Sequence, residues 1–202
     1  QPVVHLHRIR YADFDLAAFW QGYLDDFDAW SDVDCVFVTT RSDLPSCADT
    51  FRSLLDRGAT VISSCEELAY PWLRHDALAH ELDALARAKG GRLLGTGINP
   101  GFLMDAFPAL AQSVCIRVDS VRVTRRQNAT LRRIPFQRKI GAGLPAEEVM
   151  RRFREGSIGH VGLGESLHLL AEITGFTVGA WNEAAEPIHD DANPGLARGI
   201  RQ

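Results

Sequence analysis

The sequence lacks the features of a membrane protein, a secreted protein and a nucleic-acid-binding protein. No apolar run approaches the ~18 residues that a membrane-spanning helix needs. Residues 1–10 contain no long apolar stretch of the kind found in a signal peptide. Basic residues are not in excess, because 22 Lys and Arg stand against 26 Asp and Glu, for a net charge of -4. We therefore expect neither a membrane nor a nucleic acid as partner.

Cysteine is scarce and widely spaced. No C-x-x-C pair occurs among the four cysteines, which are Cys35, Cys47, Cys65 and Cys115. A chain of 202 residues can bury a core without disulfides, so we expect reduced thiols in a cytoplasmic protein. We also expect no metal site, since His5 and His7 can share a strand face but have no acid or cysteine beside them at ligand spacing.

The residues that are present are typical of a soluble globular protein, with 46% hydrophobic and 24% charged. In the first half, short β-branched apolar runs alternate with longer stretches of helical periodicity. This order is that of a parallel α/β sheet with right-handed crossovers. The predicted strands are 33–38, 60–64 and 92–95, and the predicted helices between them are 48–56 and 73–89.

An aromatic segment precedes the first predicted strand. Phe19, Tyr23 and Phe27 recur every four residues, which suits one apolar face of a helix. Such a face either packs on the sheet or offers a platform on which a ligand could stack.

The pattern changes after Cys115. Residues 120–127 and 176–186 alternate apolar and polar side chains, as antiparallel strands with one wet face do. Helical periodicity covers 102–113, 146–154 and 163–173, and the polar tail 190–202 is expected to be loosely held. We predict an α/β fold: a partial doubly wound, Rossmann-like parallel sheet over residues 1–117 and a smaller α+β domain over residues 118–202.

Small and polar residues follow all three predicted strands, in segments 39–42, 63–67 and 95–102. In an open parallel sheet, ligands bind outside the carboxyl ends of the strands. Glycine allows close backbone approach there, and hydroxyl or amide groups can hydrogen-bond a ligand. Gly101 is predicted to begin the helix over 102–113, where main-chain N–H groups favour an anionic or carbonyl partner. The same segments can serve instead as structural turns.

The glycine fingerprint of a dinucleotide site, G-x-G-x-x-G, is absent from the sequence. Gly95-x-Gly97 is followed by glycine only at position 101, and Gly162-x-Gly164 is followed by Leu167. A complete dinucleotide site therefore cannot be assigned from these residues.

Two candidate catalytic residues lie in the second half. Lys139 precedes a Gly141-Ala142-Gly143 turn, and it could bind a carboxylate, donate a proton or belong to a solvated basic turn. His160 lies between Gly159 and Gly162. It could serve as an acid or base near neutral pH, or it could be a structural histidine.

Residues 33–186 resemble the dihydrodipicolinate reductase-like family of NAD(P)-dependent oxidoreductases, which includes 2,4-diaminopentanoate dehydrogenases. The motifs that carry the resemblance are ISSCEEL at 62–68, YPW at 70–72, GTGINPGF at 95–102, QRKIGAGL at 137–144 and GHVGL at 159–163. The resemblance implies hydride transfer between NAD or NADP and the amine- or imine-bearing carbon of a small amino-acid-like substrate. It also implies a homo-oligomer, at least a dimer, with a Rossmann domain and a substrate and dimerisation domain.

By the same resemblance, Lys139 and His160 are the catalytic residues, and they face the substrate together with Asn99 and Gly141. The residues that the resemblance places beside the cofactor are Thr39, Thr40, Ser64, Cys65, Glu66, Asn99, Pro100 and Gly101.

The chain departs from this family at its start. The family opens with a strand, a glycine-rich loop and a helix, and residues 1–30 do not match that unit. We expect that the sequence lacks the N-terminal phosphate-binding unit of the full enzyme. The alternative is a non-catalytic binding or scaffold protein derived from the same fold, in which cofactor binding has been lost.

Overall fold

The computed structural model describes residues 35–129, 131–189 and 197–201. The predicted N-terminal aromatic helix and the two histidines at positions 5 and 7 lie outside the described residues. Three strands, β1 (Cys35–Val38), β2 (Thr60–Ser63) and β3 (Arg92–Gly95), form a sheet in the order β1-β2-β3. Both pairings are parallel, which confirms the predicted parallel sheet.

Helices α1 (Leu44–Asp56) and α2 (Asp76–Lys89) connect these strands. The first begins at Leu44 rather than at the predicted residue 48, because the side chain of Asp43 accepts the Ser46 N–H at 3.0 Å and Pro45 fits the first helical turn. The second helix begins at Asp76 rather than at the predicted residue 73, and two 3₁₀ turns precede it. They span Glu66–Ala69 and Pro71–Leu73.

The main core lies between the sheet and these two helices. Its fully buried side chains come from β1, β2, α1 and α2, and they include Val38, Leu44, Phe51, Leu55, Val61 and Leu82. On the other face of the sheet, Phe37 is 68% and Leu94 is 54% exposed. The helices of the described residues therefore cover one face of the sheet.

The second half combines four helices with a two-stranded antiparallel sheet. These elements are α3 (Ala106–Gln112), α4 (Ile134–Lys139), α5 (Ala146–Arg154), α6 (Leu163–Thr174), β4 (Glu186–His189) and β5 (Ala197–Arg201). A small core forms around Val149, Ile158 and Ala197. The structure confirms the predicted helix over 146–154. None of the described helices combines the length and apolar character required to cross a membrane.

Three predictions for the second half are wrong. Residues 120–127 form no strand and are mostly exposed, because no neighbouring strand of the described residues pairs with them. Residues 176–185 are also irregular, and the strand begins only at Glu186. The tail, predicted to be loosely held, contributes β5, which pairs with β4.

The helix predicted over 102–113 begins only at Ala106. The Asp105 side chain accepts the Ala106 N–H at 2.6 Å, and Pro108 lies in the first turn, where its missing N–H costs no helical hydrogen bond. Gly101 therefore does not begin a helix. It lies in the preceding turn with a φ of +109°, and its N–H donates to Asp105 Oδ2 at 2.8 Å.

Candidate functional site

The carboxyl ends of the three parallel strands lie side by side. Val38 is in register with Ser63, which is in register with Gly95. The loops that follow therefore meet at one edge of the sheet, as the polar strand ends predict. Three of the predicted cofactor residues are exposed at this edge, and they are Thr39, Thr40 and Ser64.

Other predicted cofactor residues are occupied by internal contacts. Cys65 is buried, and its Sγ donates to the Ser42 carbonyl at 3.2 Å. Burial raises the pKa of the Cys65 thiol to about 12. Pro100 is also buried, and the Gly101 N–H is used by Asp105. These three residues therefore contribute to the packing and hydrogen bonding of the loops, and their predicted contact with the cofactor stays a prediction.

The glycines at the end of β3 and in the loop after it are required by the protein's own packing. A Cβ at Gly95 would collide with the main-chain carbonyl group of Leu68, and one at Gly101 would lie 2.5 Å from Gly97 N. The sequence predicts that glycine here allows close approach of a ligand. The structure shows that it allows close approach of neighbouring backbone.

Asn99 and His160 come into contact although 61 residues separate them. Asn99 Nδ2 and His160 Nε2 lie 2.9 Å apart. Gly162 makes this contact possible, because a Cβ at that position would lie 2.6 Å from Pro100 Cδ. Gly162, two residues after His160, thus allows the loop of His160 to pack on the loop of Asn99.

Lys139 reaches the same place from the end of α4. Its main-chain oxygen accepts the Gly159 N–H at 2.8 Å, which ties it to the loop of His160. Its Nζ lies 4.0 Å from Glu66 Oε1. The structure therefore brings Glu66, Asn99, Lys139 and His160 together.

Gly141 lies apart from this group, although the resemblance places it beside the substrate. It is buried, and a Cβ there would lie 2.9 Å from Val149 Cγ2 and 3.1 Å from Ile158 Cδ1. Its position is in the core of the second half.

A cleft of about 520 Å³ opens beside Lys139 and His160. Arg74, Glu67 and Glu183 also line it, so the cleft presents both positive and negative side chains. A zwitterionic ligand, which carries an ammonium and a carboxylate, is electrostatically matched to such a lining.

Burial lowers the pKa of His160, and the positive charges of Lys139 and Arg125 lower it further. The Glu66 carboxylate and a hydrogen bond with the main chain of Asn99 act in the opposite direction but are weaker than burial. The imidazole is therefore neutral at pH 7 and able to accept a proton.

Sequence reasoning assigned no role to three charged residues of the cleft, Arg74, Glu67 and Glu183. Arg74 Nε donates to Glu165 Oε1 at 2.6 Å, and the Glu165 side chain is only 1% exposed. Glu67 Oε2 accepts the Leu44 N–H at 2.8 Å and lies 2.7 Å from His75 Nε2. Glu67 follows the predicted site residue Glu66 in the ISSCEEL motif, so its place near the site could have been predicted from the sequence. Arg74 and its partner Glu165 are 91 residues apart, so no local sequence pattern predicts their contact.

The described residues fit one end of the NAD(P) molecule that the resemblance implies. Exposed hydroxyl groups at the strand ends and the Asn99 side chain are suited to a nicotinamide and its ribose. The two glycines at the start of α6 do not form a pyrophosphate cradle, because Gly162 packs on Pro100 and Gly164 on Trp181.

Comparison with known proteins agrees with this architecture. Residues 102–193 match the profile of the family described as the 2,4-diaminopentanoate dehydrogenase C-terminal domain. The chain is 34% identical over 178 residues to 2,4-diaminopentanoate dehydrogenase of Acetoanaerobium sticklandii, in a match that covers 85% of this chain and 49% of that protein. The chain thus spans about half the length of this curated relative.

An amine dehydrogenase structure from Mycobacterium smegmatis has the same fold, with a TM-score of 0.65 and 22% identity over 88% of this chain and 55% of that chain. The fold and the strand-end site define an α/β protein with a cleft at the carboxyl edge of a parallel sheet. Residues 102–193 are thus similar to the C-terminal domain of 2,4-diaminopentanoate dehydrogenases, and 178 residues of the chain are similar to one such enzyme.

Proposed function

We propose that the protein is an NAD(P)-dependent oxidoreductase that transfers a hydride between a nicotinamide and the amine- or imine-bearing carbon of an amino acid. The observation that carries the proposal is the meeting of Asn99, Lys139 and His160 at the carboxyl edge of the parallel sheet. The relationship to 2,4-diaminopentanoate dehydrogenase supports it, and 2,4-diaminopentanoate is therefore the first substrate to test.

His160 is proposed to move the proton. A substrate ammonium must lose a proton before its carbon can release a hydride, and a neutral imidazole lining the cleft can accept that proton. The bound nicotinamide supplies the acceptor for the hydride. Asn99 holds the imidazole in place through their contact.

Lys139 is proposed to bind the substrate carboxylate. Its ammonium lines the cleft and lies at 4.0 Å from Glu66, too far for a tight ion pair to occupy it fully. Thr39, Thr40, Ser64 and Glu66 are the strand-end residues that would hold the nicotinamide end of the cofactor.

The second candidate function is a non-catalytic binding protein of the same fold. It is favoured by the packing of Gly101, Gly162 and Gly164 against the protein itself, because a pyrophosphate cradle needs glycines that are open to the ligand. Such a protein would use the same mixed-charge cleft to bind an amino acid without reaction.

An assay of the whole protein that contains this chain separates the two. The protein is mixed with 2,4-diaminopentanoate and either NAD⁺ or NADP⁺, and nicotinamide reduction is followed by absorbance. Turnover that is lost in His160→Asn supports the oxidoreductase. An amino acid that raises the melting temperature without turnover with either cofactor supports the binding protein.

A further inference from the structure

A second cationic side chain, that of Arg74, faces the cleft and has no role in the chemistry described so far. Arg74 follows the second 3₁₀ turn, Pro71–Leu73, and it lines the cleft together with Lys139 and His160. Its side chain is 42% exposed, so a ligand in the cleft can reach it. Pockets of this kind use a small number of charged groups to orient what they bind.

The buried carboxylate of Glu165 fixes one edge of the Arg74 guanidinium. Arg74 Nε donates to Glu165 Oε1 at 2.6 Å, and the Glu165 side chain is only 1% exposed. Glu165 lies in the first turn of α6, so its position is set by a helix. Within the described residues, this is the one hydrogen bond that the guanidinium makes. The contact therefore orients the guanidinium through Nε and leaves the two terminal groups, Nη1 and Nη2, for a ligand.

The two terminal groups of a guanidinium together form a binding site for a carboxylate. Nη1 and Nη2 present parallel N–H donors whose spacing matches the two oxygens of a carboxylate. A lysine ammonium acts instead as a point charge and cannot make this paired contact. Because an ionised carboxylate has about four lone pairs, Lys139 can donate to the same group as Arg74.

The charges around Arg74 favour a ligand that carries an ammonium as well. Partial burial lowers the pKa of Arg74, but the hydrogen bond with Glu165 and the nearby negative charges outweigh burial and raise it. These charges belong to Glu165, Glu183 and Glu67. Three carboxylates around one guanidinium disfavour a simple carboxylic acid, whereas the ammonium of an amino acid complements their excess of negative charge.

We propose that Arg74 is a further substrate-binding residue, which binds the carboxylate of the amino-acid substrate through Nη1 and Nη2, and that Glu165 is the positioning residue that orients it. The inference rests on the proposed function, because it gives the carboxylate a second partner besides Lys139. The contact between Arg74 and Glu165 joins the segment after β2 to α6. Binding of the carboxylate thus depends on the packing of these two elements.

Two ligands of the same shape isolate the contribution of the carboxylate. 2,4-Diaminopentanoate carries the carboxylate, and 2,4-diaminopentanamide has a neutral amide in its place. In calorimetric titrations of the whole protein without cofactor, the wild type should bind the acid more tightly than the amide. Arg74→Lys keeps the positive charge beside Glu165 but removes the paired donors. It should weaken binding of the acid about tenfold, as loss of a charge-assisted hydrogen bond does, and leave binding of the amide almost unchanged.

Further variants separate ligand binding from folding. Glu165→Ala removes the acceptor of Arg74 Nε and should lower the ratio of acid to amide affinity. Glu165→Gln keeps a side-chain oxygen that can accept this N–H, and it should restore the ratio. Unfolding of part of the sample would weaken binding of both ligands alike and leave the ratio unchanged. The matched control is Arg87→Lys, because Arg87 Nε donates to Asp83 at 2.8 Å on the exposed face of α2, and its ratio should equal that of the wild type.

Three results would decide the matter. A wild type that does not distinguish the acid from the amide, or an unchanged ratio in Arg74→Lys, would overturn the proposal. A preference for the acid that disappears in Lys139→Gln but persists in Arg74→Lys would assign the carboxylate to Lys139 alone and would also overturn it. An Arg74-dependent preference for the acid in a protein without dehydrogenase activity would support the role of Arg74 and count against the proposed oxidoreductase.

Discussion

Replacing His160 by asparagine keeps a side chain that can hydrogen-bond Asn99 but cannot exchange a proton near neutral pH. We expect turnover of the whole enzyme to fall ~10²–10⁴-fold, the usual contribution of a general acid or base. Cofactor affinity should hardly change, because His160 lines the cleft and not the strand ends. Steady-state kinetics and a cofactor titration check both. A structural histidine would give a lower melting temperature with turnover per folded molecule unchanged.

The lowered pKa of His160 also makes a prediction about stability. Burial favours the neutral ring in the folded protein, so the pKa of His160 is lower in the folded than in the unfolded state. Between these two pKa values the unfolded chain binds more protons than the folded protein. The free energy of unfolding therefore rises with pH in that range. The wild type should thus lose stability as the pH falls below ~6.5, the ordinary pKa of histidine.

In His160→Gln this loss should be smaller. Urea unfolding at about pH 7.5 and about pH 5.5 measures the difference in each protein. The exposed His80 gives the control variant His80→Gln, which should retain the wild-type difference. Equal pH dependence in the wild type and His160→Gln would contradict the assignment of a buried neutral ring.

Cysteine reactivity should follow burial. Cys115 is exposed, whereas Cys47 and Cys65 are buried, and burial raises the pKa of both buried thiols. Since the thiolate is the nucleophile, iodoacetamide should alkylate Cys115 in the folded protein and reach Cys47 and Cys65 only after unfolding. Peptide mass spectrometry identifies the modified residues. Early labelling of Cys65 would show that the loop after β2 opens readily.

Among the secondary-structure elements, β3 tolerates no side chain at its last residue. A Cβ at Gly95 would meet main-chain atoms of Leu68 and lie 2.8 Å from Ala69 N, and backbone cannot move aside as a side chain can. Gly95→Ala should lower the free energy of unfolding by about 1–3 kcal/mol, as overpacking does. At Gly179 a Cβ would meet no atom within 4 Å, so Gly179→Ala should be nearly neutral in the same urea titration.

Elements that depend on local signals could be predicted, and elements that depend on distant partners could not. The bounds of β3 and α5 agree with their predictions because Gly91 and Pro145 mark their starts. Residues 120–127 have the alternation of a strand, but a strand also needs a partner for its backbone. β5 pairs with β4, but nothing in the sequence of either segment indicates that it pairs with the other. The starts of α1 and α3 differ from the predicted starts because Asp43 and Asp105 cap these helices.

The candidate site shows the same division. Its loops could be located, because polar residues after parallel strands must gather at one sheet edge. The contact of Asn99 with His160 depends on the absence of a Cβ at Gly162 beside Pro100. Such a fit between loops 61 residues apart follows from packing in three dimensions and cannot be assigned from spacing.

At the scale of the whole molecule, the affinity for NAD(P) depends on which part of the cofactor these 202 residues can bind. A dinucleotide is normally bound through its pyrophosphate, at a glycine-rich turn and a helix N-terminus. The sequence has no G-x-G-x-x-G, and Gly162 and Gly164 are occupied by Pro100 and Trp181. We therefore expect the chain of 202 residues to bind NADH and NADPH weakly or not at all.

Calorimetric titration of this chain with NADH, NADPH and reduced nicotinamide mononucleotide tests that expectation and shows which end of the cofactor contributes to binding. If only the nicotinamide end is held, the mononucleotide and NADH should differ by less than about tenfold in Kd, which is ~1.4 kcal/mol. Low-micromolar affinity of the 202-residue chain for NADH or NADPH, with far weaker binding of the mononucleotide, would show that these residues hold the pyrophosphate without a glycine fingerprint.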